Sequence, residues 1–292
     1  MATHLTDGDT RLSLWRRVRE FAVPPAMIET ATARRTAGDW AGACAAAGFD
    51  VDLDLRGLAR TWGRDVRDRI RADLRRLAPD LLRWHLPRIA PDGLLRPGLT
   101  MPLAHYDAGD GALCLVARTP PAWADAGQRM GLALWDGTLG EPAARGHPHP
   151  HPSRRFRFDL HRHLWDADAA DGLRTRSGAD RPLGAGHPSF LGRLQPHEGA
   201  LCATERWADE ARMVLGAEGR DTGTVVVRLG GRQRLALHLA ADGTVTTGPE
   251  PGTGAAPVRP RAGGRRGAPA ARGVPPEGRL GARGGGPGPG AT

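Results

Sequence analysis

The spacing of apolar residues predicts helices in the first third of the chain. Leu12, Trp15 and Val18 recur at helical intervals until Pro24 and Pro25 end the pattern. Two further helices are predicted over residues 26–36 and 40–47. Between these two helices Ala37-Gly38 turns the chain. Asp39 caps the helix over residues 40–47 and Gly48 ends it, so the pattern predicts a helical hairpin.

The clearest apolar stripe comes next. Val66, Ile70, Leu74 and Leu77 stand at positions i, i+4, i+8 and i+11, which places them on one face of a helix. Arginine and aspartate fill the positions between them and predict a solvated opposite face with local charge pairing. One more helical turn is expected over residues 80–85, where the following Pro87 ends the helical pattern.

Beyond Pro87 the pattern changes from helical to strand periodicity. Glycines in residues 107–111 and at 230–231 favour the turns of two hairpins. A helix is expected over residues 204–215, between the two strand-rich stretches. The predicted strands are residues 99–105, 112–118, 129–135, 155–161, 224–229 and 234–239.

The order of these elements predicts an α+β fold, with a helical N-terminal region followed by a β-rich region of antiparallel hairpins. The expected divisions are a disordered leader (1–10), a helical region (11–95), a β-rich region (96–248) and a disordered tail (249–292). Glycine and proline occupy 22 of the 44 tail positions, a composition that cannot build a core. A genuine arginine-rich extension and out-of-frame translation of GC-rich DNA both fit that tail.

Composition weakens any argument from charge. The chain of 292 residues has no lysine or asparagine, and all 41 of its basic Lys/Arg positions are arginine, as a very GC-rich gene would dictate. The net charge is +9, of which the tail carries seven arginines minus two glutamates, or +5. Because the rest of the chain holds only 9 − 5 = +4, an arginine-based nucleic-acid binder is weakly supported.

Cysteine usage favours a reducing compartment. Cys44, Cys114 and Cys202 are odd in number and far apart, so they form neither a metal knuckle nor a disulfide framework. The first ten residues contain acids where a signal peptide needs cations, and no apolar run is long enough to span a membrane. We therefore expect a cytoplasmic protein without a membrane partner.

The histidines give the one candidate site. Seven of eleven fall between His147 and His197. On a strand, Asp159, His161 and His163 would share one face and could hold zinc or another divalent ion. The histidine-proline loop of residues 147–152 could instead bind metal adventitiously. The alternative is a polar strand edge whose histidines face water or pair with Asp166 and Asp168. The sequence lacks nucleotide-binding glycine motifs and a serine-nucleophile elbow.

Two resemblances add to this picture. Residues 33–47 resemble the helical hairpin of a tetratricopeptide-type repeat, with no second copy at a 34-residue period. Residues 19–31, 35–47 and 77–88 are similar to a family of uncharacterised proteins of high-GC bacteria, over about residues 15–245. That family has no assigned activity, so it implies no cofactor or catalytic residue.

Three hypotheses follow. The leading one is an intracellular, non-enzymatic interaction or scaffold protein that contacts a protein partner through its N-terminal helices. The second is a divalent-metal-dependent hydrolase or nuclease centred on Asp159, His161 and His163. The third is the arginine-rich nucleic-acid binder.

Overall fold

The α+β prediction is confirmed by the computed structural model, which describes residues 13–108, 112–123, 128–137, 147–177, 179–180, 206–230 and 233–248. The contacts of the chain place these residues in one compact unit, Met1–Gly252. The second unit, Thr253–Thr292, and the predicted leader (1–10) and tail (249–292) lie outside the described residues.

The N-terminal helices follow the predicted spacing. Helix α1 spans residues 13–17 and continues as the π-helical turn Val18–Ala22. Helices α2 (Pro25–Thr36) and α3 (Trp40–Ala46) form the predicted hairpin. Gly38 has a φ of +81°, which a glycine adopts without a steric penalty. The Asp39 side chain accepts a hydrogen bond from the Gly42 N–H and caps α3, as expected.

The apolar stripe lies where it was predicted. Helix α5 (Arg64–Arg76) buries Val66, Ile70 and Leu74. Helix α6 (Pro79–His85) follows it directly. Helix α4 (Leu55–Thr61), which precedes α5, has no fully buried residue and was not predicted. The burial of Ile70 and Leu74, both 0% exposed, makes α5 the main helical contribution to the core.

The main sheet joins a strand from the N-terminal helical region to three strands that follow it in the chain. Strands β4 (Thr100–Asp107), β5 (Ala112–Arg118) and β6 (Met130–Trp135) are antiparallel, and β1 (Phe49–Asp52) pairs with β6 in parallel, from Phe49↔Met130 to Asp52↔Ala133. The strand order is β1-β6-β5-β4, so β4 is an edge strand. Strand β1 was not predicted and lies within the region expected to be helical.

Smaller elements complete the described fold. Strands β2 (Arg88–Ile89) and β3 (Leu94–Leu95) pair as a two-stranded hairpin, and the short helix α7 is Gly172–Arg176. Helix α8 (Trp207–Ala217) packs on a second sheet, and a small apolar core lies between the two. That sheet consists of β7 (Gly223–Gly230), β8 (Gln233–Leu239) and β9 (Val245–Gly248), of which β9 was not predicted. Within the described ranges, no helix combines the length and apolar character that a membrane crossing requires.

The predicted strand over residues 155–161 is wrong. The chain instead makes two consecutive 3₁₀ turns, Phe158–Leu160 and Arg162–Leu164. The buried Trp165 indole N–H donates to the Phe158 carbonyl at 2.9 Å, so this hydrogen bond links the end of the second turn to the start of the first. Arg162 is held by Asp73 on α5, so contacts to other parts of the chain override the local alternation of apolar and polar residues.

Candidate functional site

Of the three residues predicted as metal ligands, Asp159 and His163 lie on the two 3₁₀ turns and His161 lies between them. The Asp159 side chain contacts other partners. Its carboxylate accepts hydrogen bonds from Arg157 at 2.8 and 3.0 Å, and His105 Nε2 lies 3.4 Å from it. The Asp159 side chain is 5% exposed. Burial alone would raise the pKa of Asp159, but the hydrogen bonds from His105 and Arg157 lower it to about 2. Asp159 is therefore a firmly ionised carboxylate.

His161 and His163 lie side by side. Their rings meet edge to face with centroids 5.7 Å apart. Nδ1 of His161 is 3.6 Å from a Glu210 oxygen, and Arg176, which pairs with the same carboxylate, is 3.3 Å from that nitrogen. Burial and then the neighbouring Arg176 lower the pKa of His163 to about 4. Both imidazoles are thus held in a setting that disfavours their protonation.

This arrangement bears on the metal hypothesis. The structure brings His161 and His163 together, whereas Asp159 is engaged by Arg157 and His105. Across the part of the chain that the structure describes, no group of three or more His, Cys, Asp or Glu side chains is arranged to hold a metal ion. Metal binding by Asp159, His161 and His163 stays a prediction without geometric support.

The histidine-proline loop has a structural role at its first histidine. His147 is buried, its Nδ1 accepts from the His149 N–H at 3.2 Å, and its Nε2 lies 3.0 Å from the Thr119 carbonyl. Because Nδ1 accepts, the ring proton is on Nε2, where it donates to Thr119. Thr100 on β4 donates to the His149 carbonyl at 2.8 Å. The loop is thereby fastened to the edge of the main sheet.

Beside that edge lies a cleft of about 680 Å³, which we call the β4 cleft. It is formed by residues far apart in sequence, and it contains Asp159 but neither His161 nor His163. Sequence reasoning missed its other polar residues because each looks ordinary in its own segment. Its polar lining residues are Asp73, His105, Ser153, Arg154, Arg157, Asp159 and Arg162.

The floor of the β4 cleft is an ion-pair network that is already satisfied. Asp73 accepts from Arg76, from Arg162 (both 2.6 Å) and from the Tyr106 hydroxyl (2.8 Å). Arg162 also donates to the buried Asp166 at 2.7 Å. Burial alone would raise the pKa of Asp73, but these hydrogen bonds lower it. The network ties α5 and β4 to the 3₁₀ turns and leaves no uncompensated carboxylate in the floor.

Arg154 and Ser153, which line the cleft, have donors that no other described residue uses. Arg154 is exposed and makes no ion pair with another described residue. Ser153 Oγ accepts from the backbone N–H groups of Arg155 (3.2 Å) and Phe156 (3.3 Å), which leaves its own O–H to donate. The cleft therefore presents donors rather than acceptors to a ligand.

A second cleft of about 450 Å³ adjoins the first and shares Ser153 with it. It is lined mainly by apolar surface from Leu99, Phe156 and the loop prolines, with Arg96 at its side. The Arg155 guanidinium lies 5.1 Å from the centre of the Phe156 ring. We call this second space the proline cleft.

Exposed large apolar side chains are concentrated on neighbouring N-terminal elements of the described chain. Among the described residues, four of the six large apolar side chains that are exposed lie on α1, on the π-helical turn that continues it, and on the β2–β3 hairpin: Trp15, Phe21, Ile89 and Leu94. Trp15 stacks on Trp84 of α6 at 5.3 Å, and Ile89 and Leu94 are cross-strand partners. We call these four residues the N-terminal surface.

Comparison of the chain with protein-family models, curated proteins and solved structures found no match. The resemblance to proteins of high-GC bacteria stays a prediction.

Proposed function

We propose that the protein is a non-enzymatic interaction protein whose N-terminal surface binds a protein partner, with the rest of the fold as its scaffold. The observation that supports this is the exposure of Trp15, Phe21, Ile89 and Leu94. Their elements are neighbours, since Arg17 pairs with Asp92 between β2 and β3 at 3.5 Å. Isolated apolar side chains on a surface are common, but several on adjoining elements are typical of an interaction site.

The charges around this surface indicate the chemical character of the partner's surface. Residues 13–22 hold three arginines and one glutamate, a net charge of 3 − 1 = +2. Arg16 and Arg19 are exposed and have no ion pair with another described residue. The partner surface should therefore be an apolar patch bordered by acidic side chains, because opposite charges at the rim speed and orient association.

The experiment compares two variants of similar surface chemistry. Phe21→Ser with Leu94→Ser removes exposed apolar area from the N-terminal surface, while Trp123→Ser removes an equally exposed side chain elsewhere (71% against 73% for Phe21). A partner isolated from the source cells is identified, purified and titrated against each chain. We expect the double variant to weaken binding at least tenfold, as apolar anchors do, and Trp123→Ser to bind normally.

Two outcomes would contradict the proposal. Equal binding by the double variant and the wild-type chain would remove the N-terminal surface from the interaction. Sedimentation that shows a dimer of this chain, lost in the double variant, would replace the partner by a second copy.

A further inference from the structure

We propose that the β4 cleft and the proline cleft together bind a small phosphorylated molecule that carries a flat ring, of the nucleoside monophosphate class. The phosphate would lie in the β4 cleft against Arg154 and Ser153. The ring would lie in the proline cleft beside Phe156. This ligand site is separate from the N-terminal surface.

The first step is the charge balance of the β4 cleft. Arg157 neutralises Asp159, and Arg162 with Arg76 neutralises Asp73 and Asp166. These ion pairs leave Arg154 as a positive charge with no ion-pair partner among the described residues. A cleft whose acids are all compensated and whose remaining charge is an exposed guanidinium favours an anion.

The second step is the set of donors. Ser153 and Arg154 are consecutive, and the Ser153 hydroxyl has its proton left to donate, since its oxygen already accepts two backbone N–H groups. His105 is half-exposed in the same cleft, with Nε2 directed at Asp159. Guanidinium and hydroxyl donors side by side match the several acceptor oxygens of a phosphate monoester, which carries about 1.5 to 2 negative charges at neutral pH.

The third step is the adjoining space. Ser153 lines both clefts, so a group bound at Ser153 has the proline cleft directly beside it. The proline cleft offers Phe156, Leu99, Pro148 and Pro150, together with the exposed Arg96, which has no ion pair with another described residue. Flat apolar and cationic surfaces of this kind stack on rings. Both volumes, about 680 and 450 Å³, lie in the range of small-ligand sites.

Calorimetric titration of the full chain tests this with three probes: inorganic phosphate, a nucleoside 5′-monophosphate and the same nucleoside without phosphate. The monophosphate should bind at least tenfold more tightly than either of the other two, because it occupies both clefts. Arg154→Gln should weaken phosphate and monophosphate about tenfold and leave the nucleoside unchanged, since it removes a charge-assisted contact.

The ring half of the site has its own variants. Phe156→Leu should weaken nucleoside and monophosphate about fivefold, the loss of one stacking contact, without changing phosphate binding. Phe156 also packs against the main core, so Arg96→Gln, an exposed residue of the same cleft, gives a second measurement with the same expected direction. Arg71→Gln is the control, because Arg71 is exposed on α5 outside both clefts and its loss changes the net charge equally.

Three results would overturn the proposal. The first is the absence of monophosphate binding at millimolar concentration. The second is an equal loss with Arg71→Gln and Arg154→Gln, which would indicate attraction to net charge alone. The third is a single-stranded oligonucleotide that binds tenfold more tightly than the monophosphate, which would assign the clefts to nucleic acid instead.

Discussion

Helix α5 and the segment 154–176 have similar composition but fold by different rules. Each contains six arginines, with three aspartates in α5 and four in the segment. In α5 the spacing of the buried apolar residues predicts the helix, although one charged residue of this helix, Asp73, is also buried. In the segment, Arg162 reaches Asp73, 89 positions away, and Arg176 reaches Glu210, 34 positions away. Periodicity therefore predicted α5, whose buried stripe is apolar, and failed in the segment, where distant ion pairs hold the backbone in 3₁₀ turns.

The largest expected effect concerns the apolar stripe of α5. Ile70→Ala should lower the free energy of unfolding by about 2 to 4 kcal/mol, because Ile70 is 0% exposed and its loss leaves a cavity. Arg67→Ala, on the solvated face, should change it by less than about 0.5 kcal/mol. Urea unfolding followed by circular dichroism measures both, and equal effects would show that the helix is not held by its apolar face.

This contrast explains what the sequence could predict. The helical hairpin, α5 and strands β5 and β6 were predicted because their signals are local: caps, positive-φ glycines and apolar spacing. Strand β1 was missed because its partner on β6, Met130–Ala133, lies some 80 positions further along the chain. Strand β9 (Val245–Gly248) has only four residues and is too polar to be recognised as a strand from the sequence alone, because its pairing with β8 is what forms it.

The candidate sites show the same limit. Clustering drew attention to Asp159, His161 and His163, and the structure does place the two histidines together. No local signal marks the β4 cleft, since His105 comes from β4, Arg154 from the loop after residue 152 and Asp73 from α5. Only the packing of these three parts of the chain makes them one site.

A smaller effect is expected from protonation within segment 154–176. His163 is 7% exposed, near Arg176, His161 and His85, and its pKa is lowered from 6.5 to about 4. In the unfolded chain the His163 imidazole is therefore protonated as the pH falls through about 6.5, whereas in the folded chain it is protonated only near pH 4. The free energy of unfolding is therefore highest above pH 6.5. It falls as the pH drops from 6.5 towards 4, by about 2 kcal/mol between pH 7 and pH 5.

His163→Gln should remove most of this slope when denaturant unfolding is measured at a series of pH values. His161, whose pKa is also lowered, should account for part of the slope that remains. The control is His151→Gln, since His151 is exposed. An unchanged slope in His163→Gln would show that the imidazole is not held neutral by its surroundings.

The smallest effect is expected from the third arginine-rich stretch, residues 249–292. It contains seven arginines but only two acids, and glycine or proline occupies 22 of its 44 positions. Its composition provides neither apolar periodicity nor enough acids to pair with its arginines, so the sequence predicts that it adds nothing to the stability of the folded part. Truncation after Gly248 should leave the melting temperature unchanged in scanning calorimetry.

The boundary of that truncation can be tested within a few residues. Strand β9 pairs with β8 from Leu239↔Val245 to Ala236↔Gly248, so a chain ending at Gly248 keeps the whole ladder. A chain ending at Ala240 loses β9, and also the apolar contact of Val245 with the small core under α8. It should melt several degrees lower, as the loss of about 1 kcal/mol or more predicts for a domain of this size. If the chain that ends at Gly248 also melts at a lower temperature than the full chain, residues beyond 248 contribute contacts that their composition does not indicate.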